Sequence, residues 1–125
     1  MIKGLAHIGI YVKDMEASLR FYRDQLGFEV TDEARPGAYL VFCNKGTCLM
    51  ELIERKNYEE RTAGPIDHIA VEVTGIEELV ADLREKGVSI PDDVSTMENL
   101  LGGVKNVFFE GPDHERIEFF EYLNR

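Results

Sequence analysis

Two histidines and two glutamates carry the chemistry that this chain offers. His7 and His68 each lie in an apolar, strand-like run, and Glu51 and Glu118 each sit second in a repeated stretch, Met50-Glu51-Leu52-Ile53-Glu54 and Ile117-Glu118-Phe119-Phe120-Glu121. A carboxylate set between large apolar residues is costly to bury without a partner cation. Two imidazoles and two carboxylates make a mixed nitrogen and oxygen set with no thiolate, which suits a six-coordinate divalent metal. Ni²⁺, Co²⁺, Mn²⁺, Fe²⁺ and Zn²⁺ are all admissible, with positions left over for water or substrate. Open positions of that kind distinguish a catalytic metal site from a structural one.

Taken singly, each residue has a plainer explanation: a lone His in a strand is more often a core or rim residue than a ligand, and a Glu beside apolar neighbours often marks a sheet edge. Repetition shifts the balance. Glu118 follows Glu51 by 67 positions, and the same shift lays Leu40-Val41-Phe42 on Val107-Phe108-Phe109. A shift of 61 lays Leu5-Ala6-His7-Ile8 on Ile66-Asp67-His68-Ile69. Both ligand types therefore recur at matching places in two halves whose other residues have diverged.

The elements that must position these residues follow from periodicity. Residues 4–12 alternate as a strand, with Ala6, Ile8, Ile10 and Val12 on one face and His7, Gly9 and Tyr11 on the other. Asp14 caps a helix whose apolar stripe is Leu19, Tyr22 and Leu26 and which Gly27 ends. Strands over 28–33, 38–43 and 47–54 follow, the last two joined at Asn44-Lys45-Gly46. Residues 55–65 lose periodicity and read as a linker. The pattern then restarts with a strand at 66–73, a Thr74-Gly75-Ile76-Glu77 capping box, and a helix with Ile76, Leu79, Val80 and Leu83 on its apolar side, closed by Gly87. A strand broken by Pro91 is expected over 88–94, and a surface connection or a lid over a pocket at 95–103. A hairpin around Gly111-Pro112-Asp113-His114 completes the second half. The reading is α+β: one domain over 1–125, built from tandem β-α-β-β-β modules at 1–54 and 66–125. Met50, Leu52, Ile117 and Phe119 belong under the helices, so His7, Glu51, His68 and Glu118 point to the opposite faces. Glu72 and Arg116 share that side by strand parity, either lining a pocket or pairing with each other.

Composition limits the alternatives. The chain has 125 residues, 24 of them acidic against 14 basic, and a net charge of −10. A surface this acidic repels phosphate backbones and excludes nucleic acid as a ready partner. No apolar run reaches the ~18 residues of a membrane span. No signal-peptide layout is present at the start, so the expected location is the cytoplasm, with Cys43 and Cys48 as free thiols.

The paired modules, the opening HIGIYVKDMEASLRFYRDQLGFE, the second opening DHIAVEV and the closing GPDHERIEFFE resemble the vicinal oxygen chelate superfamily over essentially the whole chain. Within it, the order His7, Glu51, His68, Glu118 is most similar to glyoxalase I, the metal-dependent lactoylglutathione lyase. The resemblance implies a cupped, incomplete eight-stranded barrel around a divalent metal held by those four residues. It also implies a homodimer whose sites draw on both chains, and a small substrate with adjacent oxygens. In glyoxalase I that substrate is the hemithioacetal of methylglyoxal and glutathione, and a carboxylate moves a proton between neighbouring carbons through an enediolate. By position Glu118 is that base and Glu51 its counterpart. The chain departs from glutathione-using relatives at Tyr11, where they carry an arginine, at Arg55, where they carry an amide, and at His114, where glycine is usual. These departures bear on glutathione and leave the metal set intact. Alternatives within the same fold are a non-catalytic, antibiotic-sequestering module, an acyl-CoA epimerase, a thiol transferase and an extradiol dioxygenase. The transferases and dioxygenases typically use two His and one Glu, so Glu51 counts against them.

Overall fold

The computed structural model describes residues 1, 3, 5–60 and 64–125. It divides into two compact units, Met1–Arg61 and Thr62–Arg125. Part of the expected linker, residues 61–63, and Gly4 of the expected first strand lie outside the described residues.

The first unit runs β1 (Ile8–Val12), α1 (Met15–Leu19) continuing into a π-helical segment (Arg20–Gln25), β2 (Glu29–Ala34), β3 (Tyr39–Lys45) and β4 (Cys48–Glu54). Its open sheet has the order β1-β4-β3-β2, with β1 parallel to β4 and the other pairs antiparallel. The second unit repeats the pattern with β5 (Ile69–Glu72), α2 (Ile76–Glu85), β6 (Ser95–Met97), β7 (Val104–Glu110) and β8 (Arg116–Tyr122), in the order β5-β8-β7-β6. The fold is α+β, two β-α-β-β-β modules.

Alternation on the strands determines which side is covered. Val41, Cys43, Met50 and Leu52 are buried in the first unit, and Val107, Phe109, Ile117 and Phe119 in the second. The first helix buries Met15, Ser18, Phe21 and Tyr22, whereas the expected stripe members Leu19 and Leu26 are only partly covered. The cause is the π-helical segment: Leu26 N–H donates to the Phe21 carbonyl five residues back, and the widened turn lets the consecutive Phe21 and Tyr22 both face inward.

Three other expectations change. The Thr74–Glu77 capping box does not form. Gly75 caps α2 in a left-handed conformation (φ 64°) without a side-chain bond, and Glu77 turns to Lys105 at 2.6 Å. The strand placed at 88–94 is irregular, and pairing starts at Ser95 instead. Pro91 removes a donor there, while the Arg84 guanidinium donates to the carbonyls of Ile90 and Asp92, holding Val88 and Ile90 in the core. Finally, the 67-residue shift fails for β7. Phe42 pairs with Glu51, and Phe108, not Phe109, pairs with Glu118. A one-residue difference on a strand moves a side chain to the other face.

The helix N-termini account for the second glutamate of each repeated stretch. Met15 N–H donates to Glu54 Oε2 at 2.6 Å, and Ile76 N–H donates to Glu121 Oε2 at 2.8 Å. Glu54 shares a face with Met50 and Leu52, and Glu121 with Ile117 and Phe119, so each reaches under its helix. There it meets an otherwise unsatisfied amide and the positive end of the helix dipole.

Candidate metal centre

Strand pairing brings the four candidate ligands together as two pairs, one in each unit. In the first, Glu51 on β4 lies opposite Gly9 on β1, and His7 precedes β1 on the same face; His7 Nε2 is 3.9 Å from Glu51 Oε1. In the second, Glu118 on β8 lies opposite Ala70 on β5, and His68 Nε2 is 3.1 Å from Glu118 Oε1. A Cβ at Gly9 would lie in ordinary van der Waals contact with Glu51 Oε1, 3.5 Å away. Each imidazole stands edge-on to a phenylalanine from the neighbouring strand: His7 to Phe42 at 5.7 Å and His68 to Phe108 at 5.1 Å between ring centroids. The aromatic walls restrict ring rotation and recur as faithfully as the ligands.

Further residues build a hydrogen-bonded chain around the second pair. Asn106 Nδ2 donates to Glu118 Oε2 at 2.7 Å, and both side chains are buried. Asp67 Oδ2 lies 2.7 Å from His68 Nδ1, and Arg116 Nη1 donates to the same Asp67 oxygen at 2.6 Å while its guanidinium covers the Phe108 ring. The hydrogen bond with His68, reinforced by the Arg116 charge, holds the Asp67 carboxyl below its ordinary value. Arg116 thus pairs with Asp67, while Glu72 is exposed.

This arrangement fits a metal. A carboxylate on Nδ1 favours the imidazole tautomer that carries its proton there, leaving the Nε2 lone pair toward the ligand side, as is usual for metal-binding histidines. Facing it at 3.1 Å is a carboxylate oxygen that is itself held by an amide. Two lone-pair donors converging in this way are well matched to a shared cation. Among the described residues no three His, Cys, Asp or Glu side chains gather round one point.

Tyr11 and Arg55 come together in the first unit, with the Arg55 guanidinium 4.9 Å over the Tyr11 ring. Leu100 and Leu101 are exposed on the turn between β6 and β7, where Leu101 itself adopts a left-handed conformation (φ 49°). His114 is also left-handed (φ 64°), the physical reason that a glycine is at home at this point of the hairpin.

Of the residues missing from the sequence reading, Glu54 and Glu121 were visible as the second half of the repeat, Asp67 as the acid preceding His68, and Asn106 as the single amide in an apolar strand. The equivalence of Phe42 and Phe108, opposite Glu51 and Glu118 respectively, required the register.

The family model of the Glyoxalase/Bleomycin resistance protein/Dioxygenase superfamily matches residues 4–119. The chain belongs to this superfamily. Human mitochondrial methylmalonyl-CoA epimerase is 34% identical over 72% of the chain, which spans 58% of that protein's length. The crystal structure of a glyoxalase family protein from Enterococcus faecalis superposes with a TM-score of 0.81 at 28% identity, covering 95% of this chain and 98% of that one. The fosfomycin resistance protein FosX from Listeria monocytogenes, solved with Mn(II) and sulfate, shares the fold at a TM-score of 0.74 and 20% identity, covering 99% of this chain and 96% of that one. No described helix is long and apolar enough to cross a membrane.

Proposed function

We propose that the protein is a metal-dependent enzyme that moves a proton on a carbon beside a carbonyl, of the acyl-CoA epimerase kind. The observation that carries this reading is the matched pair of carboxylates, Glu51 and Glu118, one per module, each facing an imidazole at the same register position. Similarity to an epimerase favours an acyl thioester over the glyoxalase I substrate that the ligand order alone suggested.

Inverting a C–H centre requires a proton to leave from one side and return on the other, a task for two acid–base groups. One glutamate takes the proton at an Oε as the C–H bond breaks, and the electron pair moves into the carbonyl as an enolate. A second acid–base group returns a proton to the opposite face of the carbon. Nothing is oxidised or reduced. His7, Glu51, His68 and Glu118 are the residues that would hold a divalent cation, which would supply Lewis-acid stabilisation for the charge on the substrate oxygens. Arg55, stacked on Tyr11 on the Glu51 side of its sheet, offers an exposed cation to an anionic substrate group in an otherwise acidic protein.

The test is proton exchange. Metal-loaded protein is incubated in D₂O with single enantiomers of 2-methylmalonyl-CoA, and in parallel with methylglyoxal plus several thiols. The reading expects deuterium at C2 and loss of optical purity, both abolished in Glu51→Gln and Glu118→Gln. Turnover of the methylglyoxal adducts without C2 exchange would replace it with the glyoxalase I activity.

A further inference from the structure

The strand that carries Glu118 continues on the same sheet face as Phe120 and Tyr122. On the neighbouring strands Phe120 stands opposite Glu72 and Asn106, and Tyr122 stands opposite Val104, which itself pairs with Met97. Phe120, Tyr122 and Met97 are all partly exposed, so a track of aromatic and thioether surface leads from Glu118 to the end of β8. The Phe120 and Tyr122 rings meet edge-on with centroids 5.1 Å apart, and the Arg125 guanidinium lies 3.8 Å over the Tyr122 ring. Residues 123–124 are tied to the turn before β7: Leu123 N–H donates to the Gly103 carbonyl at 3.0 Å, and Asn124 Nδ2 donates to the Gly102 carbonyl. The other basic side chains of this module are engaged, Arg84 with backbone carbonyls, Lys86 with Asp82, Lys105 with Glu77 and Arg116 with Asp67. Arg125 has the Tyr122 ring as its neighbour and, among the described residues, no carboxylate partner. A guanidinium stacked on an aromatic face keeps its N–H fork free for an anion.

We propose that this track is the subsite for the carrier arm of an acyl thioester, with Phe120, Tyr122 and Met97 beneath the amide-linked arm and Arg125 on its phosphate. The inference rests on the proposed function, in which Glu118 stands beside the reacting carbon. Tyr122 follows Glu118 by four residues, which places the Arg125 stack ~13 Å along the strand. The pantetheine arm of an acyl-CoA, from sulfur to its first phosphate, has roughly four residue-lengths of chain, about 14 Å when extended. Its phosphate therefore reaches Arg125 when the thioester carbonyl lies beside Glu118. Glu72, exposed opposite Phe120, repels an anion midway along the track but accepts a hydrogen bond from an uncharged amide N–H. The track thus suits an arm that is neutral in its middle and anionic at its far end. A carboxylate on the reacting carbon itself lies too close to Glu118 to meet Arg125. Arg125 accordingly selects the carrier and is indifferent to the acyl group.

The experiment is calorimetric titration of the full chain at low salt with unreactive thioethers: S-methyl pantetheine 4′-phosphate, S-methyl pantetheine and S-methyl glutathione. The phosphorylated arm should bind about 5- to 10-fold more tightly than the neutral one, and added salt should shrink that preference. Arg125→Gln should remove the preference while leaving the affinity for the neutral arm unchanged. Arg125→Lys, which keeps the charge and loses the planar stack, should retain only part of it. Tyr122→Leu should weaken both pantetheine arms. Arg125 is exposed, so its variants test the idea even if Tyr122→Leu fails to fold, which circular dichroism reads. Equal wild-type affinity for the two pantetheine arms, or a preference that survives Arg125→Gln, overturns the subsite. Tighter, Arg125-dependent binding of S-methyl glutathione overturns it too, because the anion is then a peptide carboxylate. Loss of the deuterium exchange described above, with the arm preference intact, removes the epimerase reading and leaves the subsite standing; exchange without the preference does the reverse.

Discussion

Replacing Glu121 by alanine removes a carboxylate that reaches from the end of β8 to the first amide of α2, 2.8 Å away and partly buried. A hydrogen bond to a charged group contributes about 1.5–3 kcal/mol. The helix-dipole interaction adds about 0.3–1 kcal/mol. Gly75 occupies the N-cap position and has no side chain with which to cap this helix. We expect Glu121→Ala to lose about 2–3 kcal/mol, roughly 6–12 °C in Tm for a chain of this size. The equivalent change in the first module, Glu54→Ala, removes a 2.6 Å bond to Met15 N–H, but Asp14 still accepts from Glu16 N–H, so its cost should be smaller, about 1–2 kcal/mol. Glutamine at either position keeps an acceptor and loses the charge, and should fall about halfway. Urea unfolding followed by far-ultraviolet circular dichroism reads all four variants, since the chain has no tryptophan. Glu121→Ala within about 0.5 kcal/mol of wild type, or Glu54→Ala costing more than Glu121→Ala, would refute the argument.

The one-residue register difference on β7 predicts opposite behaviour for adjacent phenylalanines. Phe109→Ala, at 3% exposure, should cost about 3–5 kcal/mol in denaturant titration, while Phe108→Ala should cost less than half of that and instead weaken metal affinity by freeing the His68 ring. Equal stability losses would contradict the assigned faces. Burial pushes both thiols above their ordinary value of 9.0, so they are poor nucleophiles near neutrality. A thiol-specific disulfide reagent at about pH 8 should modify Cys48 slowly and Cys43 only on unfolding. Because the folded state keeps these thiols protonated, their contribution to stability is intact below the ordinary thiol pKa and is lost as pH rises through the raised one. The unfolding midpoint should therefore fall in alkali less steeply in a Cys43→Ala, Cys48→Ala variant than in the wild type.

Much of the fold was legible because strand alternation and a long internal repeat are local signals. Met50, Leu52, Ile117 and Phe119 on one face, with Glu51 and Glu118 on the other, follow from parity alone, and the structure places them so. The failures have physical causes that no local pattern carries. Thr74 and Glu77 have the spacing of a capping box, but Lys105 from β7 claims Glu77 and Glu121 from β8 claims the helix amide, both more than 25 residues away in sequence. The loss of a strand at 88–94 depends on where the Arg84 guanidinium reaches. The register of Phe108 depends on the hairpin at 111–115, which is longer than the turn at Gly46-Thr47, so a shift correct for β8 is wrong by one for β7. At the candidate site, the ligand types were readable as a repeat. The supports Asp67, Arg116 and Asn106 stand outside the repeat, so each was visible as a residue but its partner was not.

We propose that His7, Glu51, His68 and Glu118 are divalent-metal ligands. The most direct test is the metal-to-chain ratio, measured by elemental analysis after loading with Mn²⁺, Co²⁺, Ni²⁺ or Zn²⁺ and exhaustive dialysis, for the wild type and for His7→Ala and His68→Ala. A ratio of about one ion per chain is expected for at least one of these metals, falling well below that in either histidine variant. A wild-type ratio no higher than that of the variants would contradict it.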